Sequence, residues 1–171
     1  MAIFRPIQIS FWQDPYILDL DKDQKYFYLY LLTNSRTTQC GIYQISYKIV
    51  SFETGFEEET IKRLIRGFVD DGKVLFNEEH MEIMLLNWYK YNPVNNRNIE
   101  KRVLKELKEV KTLEFIEIYV KLLDQQEYEI SLIKGAYKGL IRGLQDPSKN
   151  KTSTSKREES TCHNQSEISA G

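Results

Sequence analysis

Cysteine and histidine are nearly absent: the 171 residues hold two of each, Cys40 and Cys162, His80 and His163. Two thiols so far apart exclude a disulfide framework and a four-thiolate zinc site, and they suit a reducing cytosolic compartment. Two histidines exclude a His-rich metal centre. An excess of one charge is missing too. Twenty-four Lys and Arg stand against 25 Asp and Glu, a formal net of -1, which excludes a histone-like polycation bound by bulk charge. No run approaches the ~18 apolar residues of a membrane span, and MAIFRPIQISFW is too short and interrupted for a signal peptide. The expectation is a soluble intracellular protein without membrane contact. A Gly-rich phosphate loop, a nucleophile elbow and metal-ligand spacings are lacking as well. No catalytic residue, cofactor or metal ligand is assigned, and the chain reads as a non-enzyme.

Aromatic residues are plentiful: eleven Tyr, eight Phe and two Trp make 12% of the chain. They bury large areas and suit a compact core. None follows Tyr137. Residues 145-171 hold nine Ser or Thr and, as aliphatics beyond alanine, only Ile168. Such a segment buries too little apolar surface to offset its ordering entropy and reads as a disordered tail. It contains the Cys162-His163 pair, which has no further ligands beside it.

Residues 1-91 read as one unit. Pro6 and Pro15 predict an extended N-terminal arm, whose Phe11, Trp12 and Tyr16 suit an oligomer interface. Asp21 or Asp23 caps a helix over 22-33, with Tyr26, Phe27, Tyr30 and Leu31 on one apolar face. GIYQIS (41-46) alternates like a short strand. Ser46 caps a helix over 47-53, and Gly55 closes it. A third helix over 57-70 places Ile61, Leu64, Ile65, Phe68 and Val69 in an amphipathic stripe. Segments 73-77 and 81-88 read as strands joined by a tight turn at Glu78-Glu79-His80. The fold class is therefore mostly α with a small β-hairpin: a winged helix-turn-helix followed by additional C-terminal helices. Residues 92-144 form the helical extension, with a basic helix over 97-111, another over 112-123, and a last segment that Gly135, Gly139 and Gly143 weaken.

The third helix is the expected DNA contact. Its polar face carries Glu59, Lys62, Arg63, Arg66 and Asp70; Arg63 and Arg66 reach guanine edges or phosphates, and Thr60 a phosphate. The same face also reads as an ordinary solvated surface of mixed charge. Residues 1-91 sum to -3 and residues 92-171 to +2. The positive field thus follows the hairpin, and Lys101, Arg102 and Lys105 join Lys73 as expected phosphate contacts.

KYFYLYLLTN, TTQCGIYQIS and NWYKYNPVNNRNIEKRVLKELKEV, taken together, resemble the N-terminal region of phage replisome organisers, the DnaD-like replication initiation proteins of Gram-positive bacteria and their phages. The opening FWQDPYILDLDKDQKYFYLYLLTN and the segment KGAYKGLIRGLQ are similar to this family too, so the resemblance covers roughly 1-143. It implies a winged helix that binds double-stranded origin DNA in the bacterial cytoplasm or nucleoid, self-associates, and recruits a helicase loader. It implies no catalytic residue. The chain departs from longer members in carrying a Ser/Thr-rich tail where they carry a folded C-terminal domain. The expectation is double-stranded DNA binding in replication initiation. The alternatives are a winged-helix module for protein interaction or oligomerisation, and a phage transcriptional regulator.

Overall fold

The structure, a computed structural model, describes residues 5–125 and 130–145. The tail after Gln145, with its Cys162-His163 pair, lies outside the described residues. The N-terminal arm differs from the extended segment that its prolines predict. Ile9–Gln13 forms a 3-10 turn and Pro15–Asp19 a short helix, α1. Pro15 sits in the first turn, where a missing N–H costs nothing, and the Asp14 carboxylate accepts from the Tyr16 amide at 2.9 Å.

Helix α2 (Lys22–Thr33) begins with a capping box. The Asp21 carboxylate accepts from the Gln24 amide at 2.8 Å, and the Gln24 side chain accepts from the Asp21 amide at 2.9 Å. Phe27 and Leu31 are buried, but Tyr26, expected on the same face, is exposed. Strand β1 (Ile42–Gln44) leads into α3 (Tyr47–Thr54). Ser46 occupies the N-cap position without a side-chain cap bond, and Gly55 closes the helix at φ 78. Helix α4 (Glu58–Asp70) buries Ile61, Leu64, Ile65 and Phe68, as their spacing requires. Strands β2 (Val74–Asn77) and β3 (Glu82–Leu85) form the hairpin.

The second strand is shorter than expected. It ends at Leu85, and Trp88–Tyr91 turns into a short helix, α5. The buried Trp88 indole explains the change, since it donates from Nε1 to the Gln39 carbonyl at 3.1 Å. It also fills the space beside Gly41. A Cβ on Gly41 would lie 2.5 Å from the Trp88 ring, and its φ is 74, so only glycine fits there. Helix α6 (Arg97–Leu107) stops one turn before its expected end, α7 spans Leu113–Asp124, and α8 spans Ser131–Gln145. Although α8 contains glycines, it is a fifteen-residue helix. Its docking against α6 and α7 outweighs their propensity cost.

The three strands are antiparallel in the order β1-β3-β2. Ile42 pairs with Met84 and Tyr43 with Ile83. Every residue of β3 is buried. Tyr43, Ile83 and Leu85 join a core with Phe27, Leu31, Ile61 and Phe68 from α2 and α4. Ile42 and Met84, pointing the other way, join a second core with Val103, Phe115, Tyr119 and Ile133 from α6, α7 and α8. The sheet is thus a middle layer between two helical layers, and α6, α7 and α8 cover its second face.

Two buried carboxylates hold that second layer. Glu82, 2% exposed at the start of β3, accepts from the Lys111 and Thr112 amides at 2.9 and 2.8 Å, just before α7. Glu100, 3% exposed in α6, accepts from the Leu132 and Ile133 amides at 2.7 and 3.3 Å in the first turn of α8. Glu100 sits where unpaired helix amides and the helix dipole favour an anion, and Glu82 takes up the two amides that lead into α7.

Replacing Glu82 by Ala removes two charge-assisted bonds and leaves both amides unpaired, so urea unfolding should report a loss of about 3 kcal/mol. Replacing the exposed Glu109 should change stability by less than about 0.5 kcal/mol. Equal small effects at both positions would contradict this account.

Candidate nucleic-acid interface

Helix α4 buries one stripe, which leaves the opposite face to solvent. Arg63 and Arg66 are exposed there, and among the described residues neither makes an ion pair or side-chain hydrogen bond. Lys62 is tied down. Its ammonium lies 2.9 Å from Glu58 and 3.0 Å from Glu59, and 5.4 Å from the centre of the Tyr47 ring. Hydrogen bonds to these two carboxylates raise its pKa above the ordinary lysine value. Thr60 is half-buried at the helix start. Glu59, one turn before Arg63, pairs with Lys62 instead.

Lys73, expected as the first residue of the strand, stands just before β2, and its ammonium sits 3.9 Å above the Tyr16 ring. The Tyr16 hydroxyl in turn donates to Asp71 at 2.7 Å. Burial and this bond push the Tyr16 phenol above its usual pKa. Lys73 and Tyr16 therefore join the arm to the α4–β2 turn. Phe11, half-buried, stacks on Tyr28 at 6.4 Å and meets Trp12 edge-on at 5.1 Å. Of the three expected interface aromatics only Trp12 is largely exposed, at 55%. Its exposed neighbours Ile9 and Leu18 carried no aromatic signal in the sequence. Phe52, 90% exposed on α3, was also missed.

The hairpin tip is acidic. Glu78 and Glu79 are exposed, while His80 is half-buried, its amide donating to Asn77 Oδ1 at 2.8 Å. The basic residues of α6 lie elsewhere. Lys101, Arg102 and Lys105 are exposed, and Arg102 Nε donates to Glu106 at 3.1 Å. Since α4 packs on one face of the sheet and α6 on the other, the expected contacts separate into two groups. Thr60, Lys62, Arg63 and Arg66 lie on one side; Lys101, Arg102 and Lys105 lie on the other.

A cleft of about 320 Å³ opens between β1 and α6, lined in part by Arg36, Gln44, Glu82, Glu106 and Glu109. Its inner carboxylates are occupied: Glu82 holds the start of α7, and Glu106 accepts from the Cys40 amide at 3.0 Å. Burial pushes the Cys40 thiol up to about 12, so it stays protonated. Among the described residues no group of three His, Cys, Asp or Glu is placed to hold a metal ion. Comparison with protein-family models, with curated proteins and with solved structures finds no match to this chain.

The placement of Tyr16 and Trp12 yields a test. Tyr16→Ala should cost about 1–3 kcal/mol, because it removes a packed ring and the bond to Asp71. Trp12→Ser should leave unfolding nearly unchanged and act only on self-association, read by light scattering. A stability loss confined to Trp12→Ser would reverse the two assignments.

Proposed function

We propose that this chain is a winged-helix protein that binds double-stranded DNA in replication initiation. The order α2-β1-α3-α4-β2-β3, with a three-stranded antiparallel sheet, supports the winged-helix reading. In that frame α4 is the helix presented to a major groove. The observation that carries the reading is the pair Arg63 and Arg66, exposed one turn apart on α4 and, among the described residues, unpaired. Guanidinium groups of this kind fit guanine edges bidentately. The role in replication, and the recruitment of a helicase loader, rest on the family resemblance of the quoted segments.

A second reading has its own support. Ile9, Trp12 and Leu18 expose apolar surface on the arm, and the hairpin tip is acidic. Both features suit a module that oligomerises or captures a protein. Salt separates the readings, since phosphate contacts weaken steeply with salt and an apolar interface does not.

Each lost base contact is worth about 1–3 kcal/mol. Arg63→Ala/Arg66→Ala should therefore weaken binding to a duplex that the parent protein selects from a random pool by about thirtyfold or more. Titration by fluorescence anisotropy measures it. Unchanged affinity in the double variant would remove α4 from the interface.

A further inference from the structure

Three cations on α6 and one at its C-cap form a single stripe. Arg97, Lys101, Lys105 and Lys108 are all exposed. At ~100° per residue they fall within about 80° of one another around the helix, and they span about 16 Å along it. The helix turns Glu100, Val103 and Leu107 into the second core, so the stripe faces outward beside that contact. Among the described residues none of the four makes an ion pair. Arg102 stands off the stripe and is taken up by Glu106. At its C-terminal end the stripe reaches α8, where Lys108 lies beside Ala136 and Tyr137. The exposed Lys138 follows on α8.

We infer that this stripe is a sequence-independent docking surface for the phosphate backbone of double-stranded DNA, separate from the α4 face. The inference rests on the DNA-binding reading above only in its choice of polyanion. Three features favour the duplex backbone. The stripe has three lysines and one arginine, and lysine acts as a point charge on phosphates rather than a fork on base edges. Its length and straightness suit a rigid row of charges. Among the described residues the largely exposed aromatic rings Trp12, Tyr26, Phe52 and Tyr91 lie on other elements, and Tyr137 at the end of the stripe is half-buried with its hydroxyl donating to Glu117 at 3.0 Å, so no open platform for single-stranded bases is present. The positions are solvent-facing, so neutralising them leaves the core intact. Sequence alone set Lys101, Arg102 and Lys105 beside Lys73 as phosphate contacts; the sheet between the two helical layers puts the α6 residues on a surface apart from α4.

The test uses the full chain and random-sequence duplex DNA, with affinity measured across a salt series. Each phosphate contact contributes about one unit to the slope of log K against log salt. Lys101→Gln/Lys105→Gln should flatten the slope by about two units, and neutralising all four should flatten it by about four. Lys101→Arg/Lys105→Arg should keep the parent slope. Thermal melting of each variant should match the parent, which separates lost contacts from lost fold. An unchanged slope in the fourfold variant overturns the proposal. Two other outcomes also overturn it: binding of anionic phospholipid vesicles without duplex binding, and tighter binding of oligo-dT than of duplex. Arg63→Ala/Arg66→Ala distinguishes the two faces. If it leaves preference for a selected duplex untouched, the α4 reading fails while the stripe stands on its own slope.

Discussion

The buried carboxylate of Glu82 is the constraint on which the architecture turns. A charge taken out of water is costly unless donors replace its hydration. Here the donors are two backbone amides, Lys111 and Thr112, at the entry to α7. The amides need an acceptor as much as the carboxylate needs donors, because helix starts leave N–H groups unpaired. One contact solves both problems and joins the middle strand to the C-terminal layer. Glu100 repeats the arrangement one helix later, at the start of α8.

Because that layer is fixed, β3 is covered on both faces, and the alternation of its side chains feeds two cores. Ile83 and Leu85 look toward α2 and α4; Met84 looks toward α6, α7 and α8. Functional surfaces are then sorted by the sheet. The outward face of α4 and the outward face of α6 cannot belong to one continuous patch, however close their residues lie in the chain. Internal contacts trim the patch further. Lys73 is held over Tyr16, and Lys62 between Glu58 and Glu59.

Elements whose signal is local were legible in the sequence. The stripe of α4, the Asp21 cap and the left-handed Gly55 follow from spacing and residue type, and all three occur where they were placed. What depends on distant contacts was not legible. Segment 81-88 was read as a strand, yet the apolar run Ile83-Met84-Leu85-Leu86 within it also signals burial on both sides, which an outer hairpin strand does not need. Nothing local marks Glu82 and Glu100 as buried, since surface glutamates look the same. Pro15 was read as a mark of an extended arm, whereas its place after Asp14 makes it a helix starter. The glycines of α8 lower its propensity, but Ile130 and Ile133 are buried against its neighbours and hold the helix. The candidate site was found in part for the same reason. Exposure follows from helix register, but the partners of Lys62, Lys73 and Tyr16 come from contacts across the fold.

The charge balance of the α4 face bears on how the proposed DNA binding would work. Glu58, Glu59 and Asp70 offset Lys62, Arg63 and Arg66, and the hairpin tip adds Glu78 and Glu79. A face without net positive charge would gain little from phosphates, so in the proposed mode it would bind wrong sequences weakly and give the proposed base-edge contacts of Arg63 and Arg66 more weight in discrimination. Such a face also attracts duplexes poorly from a distance. The α6 stripe has the opposite character, strong in field and poor in base-reading groups. Within the near-neutral total of the chain, two unlike surfaces are held on opposite sides of one sheet. The proposed reading assigns selection to one and attraction to the other.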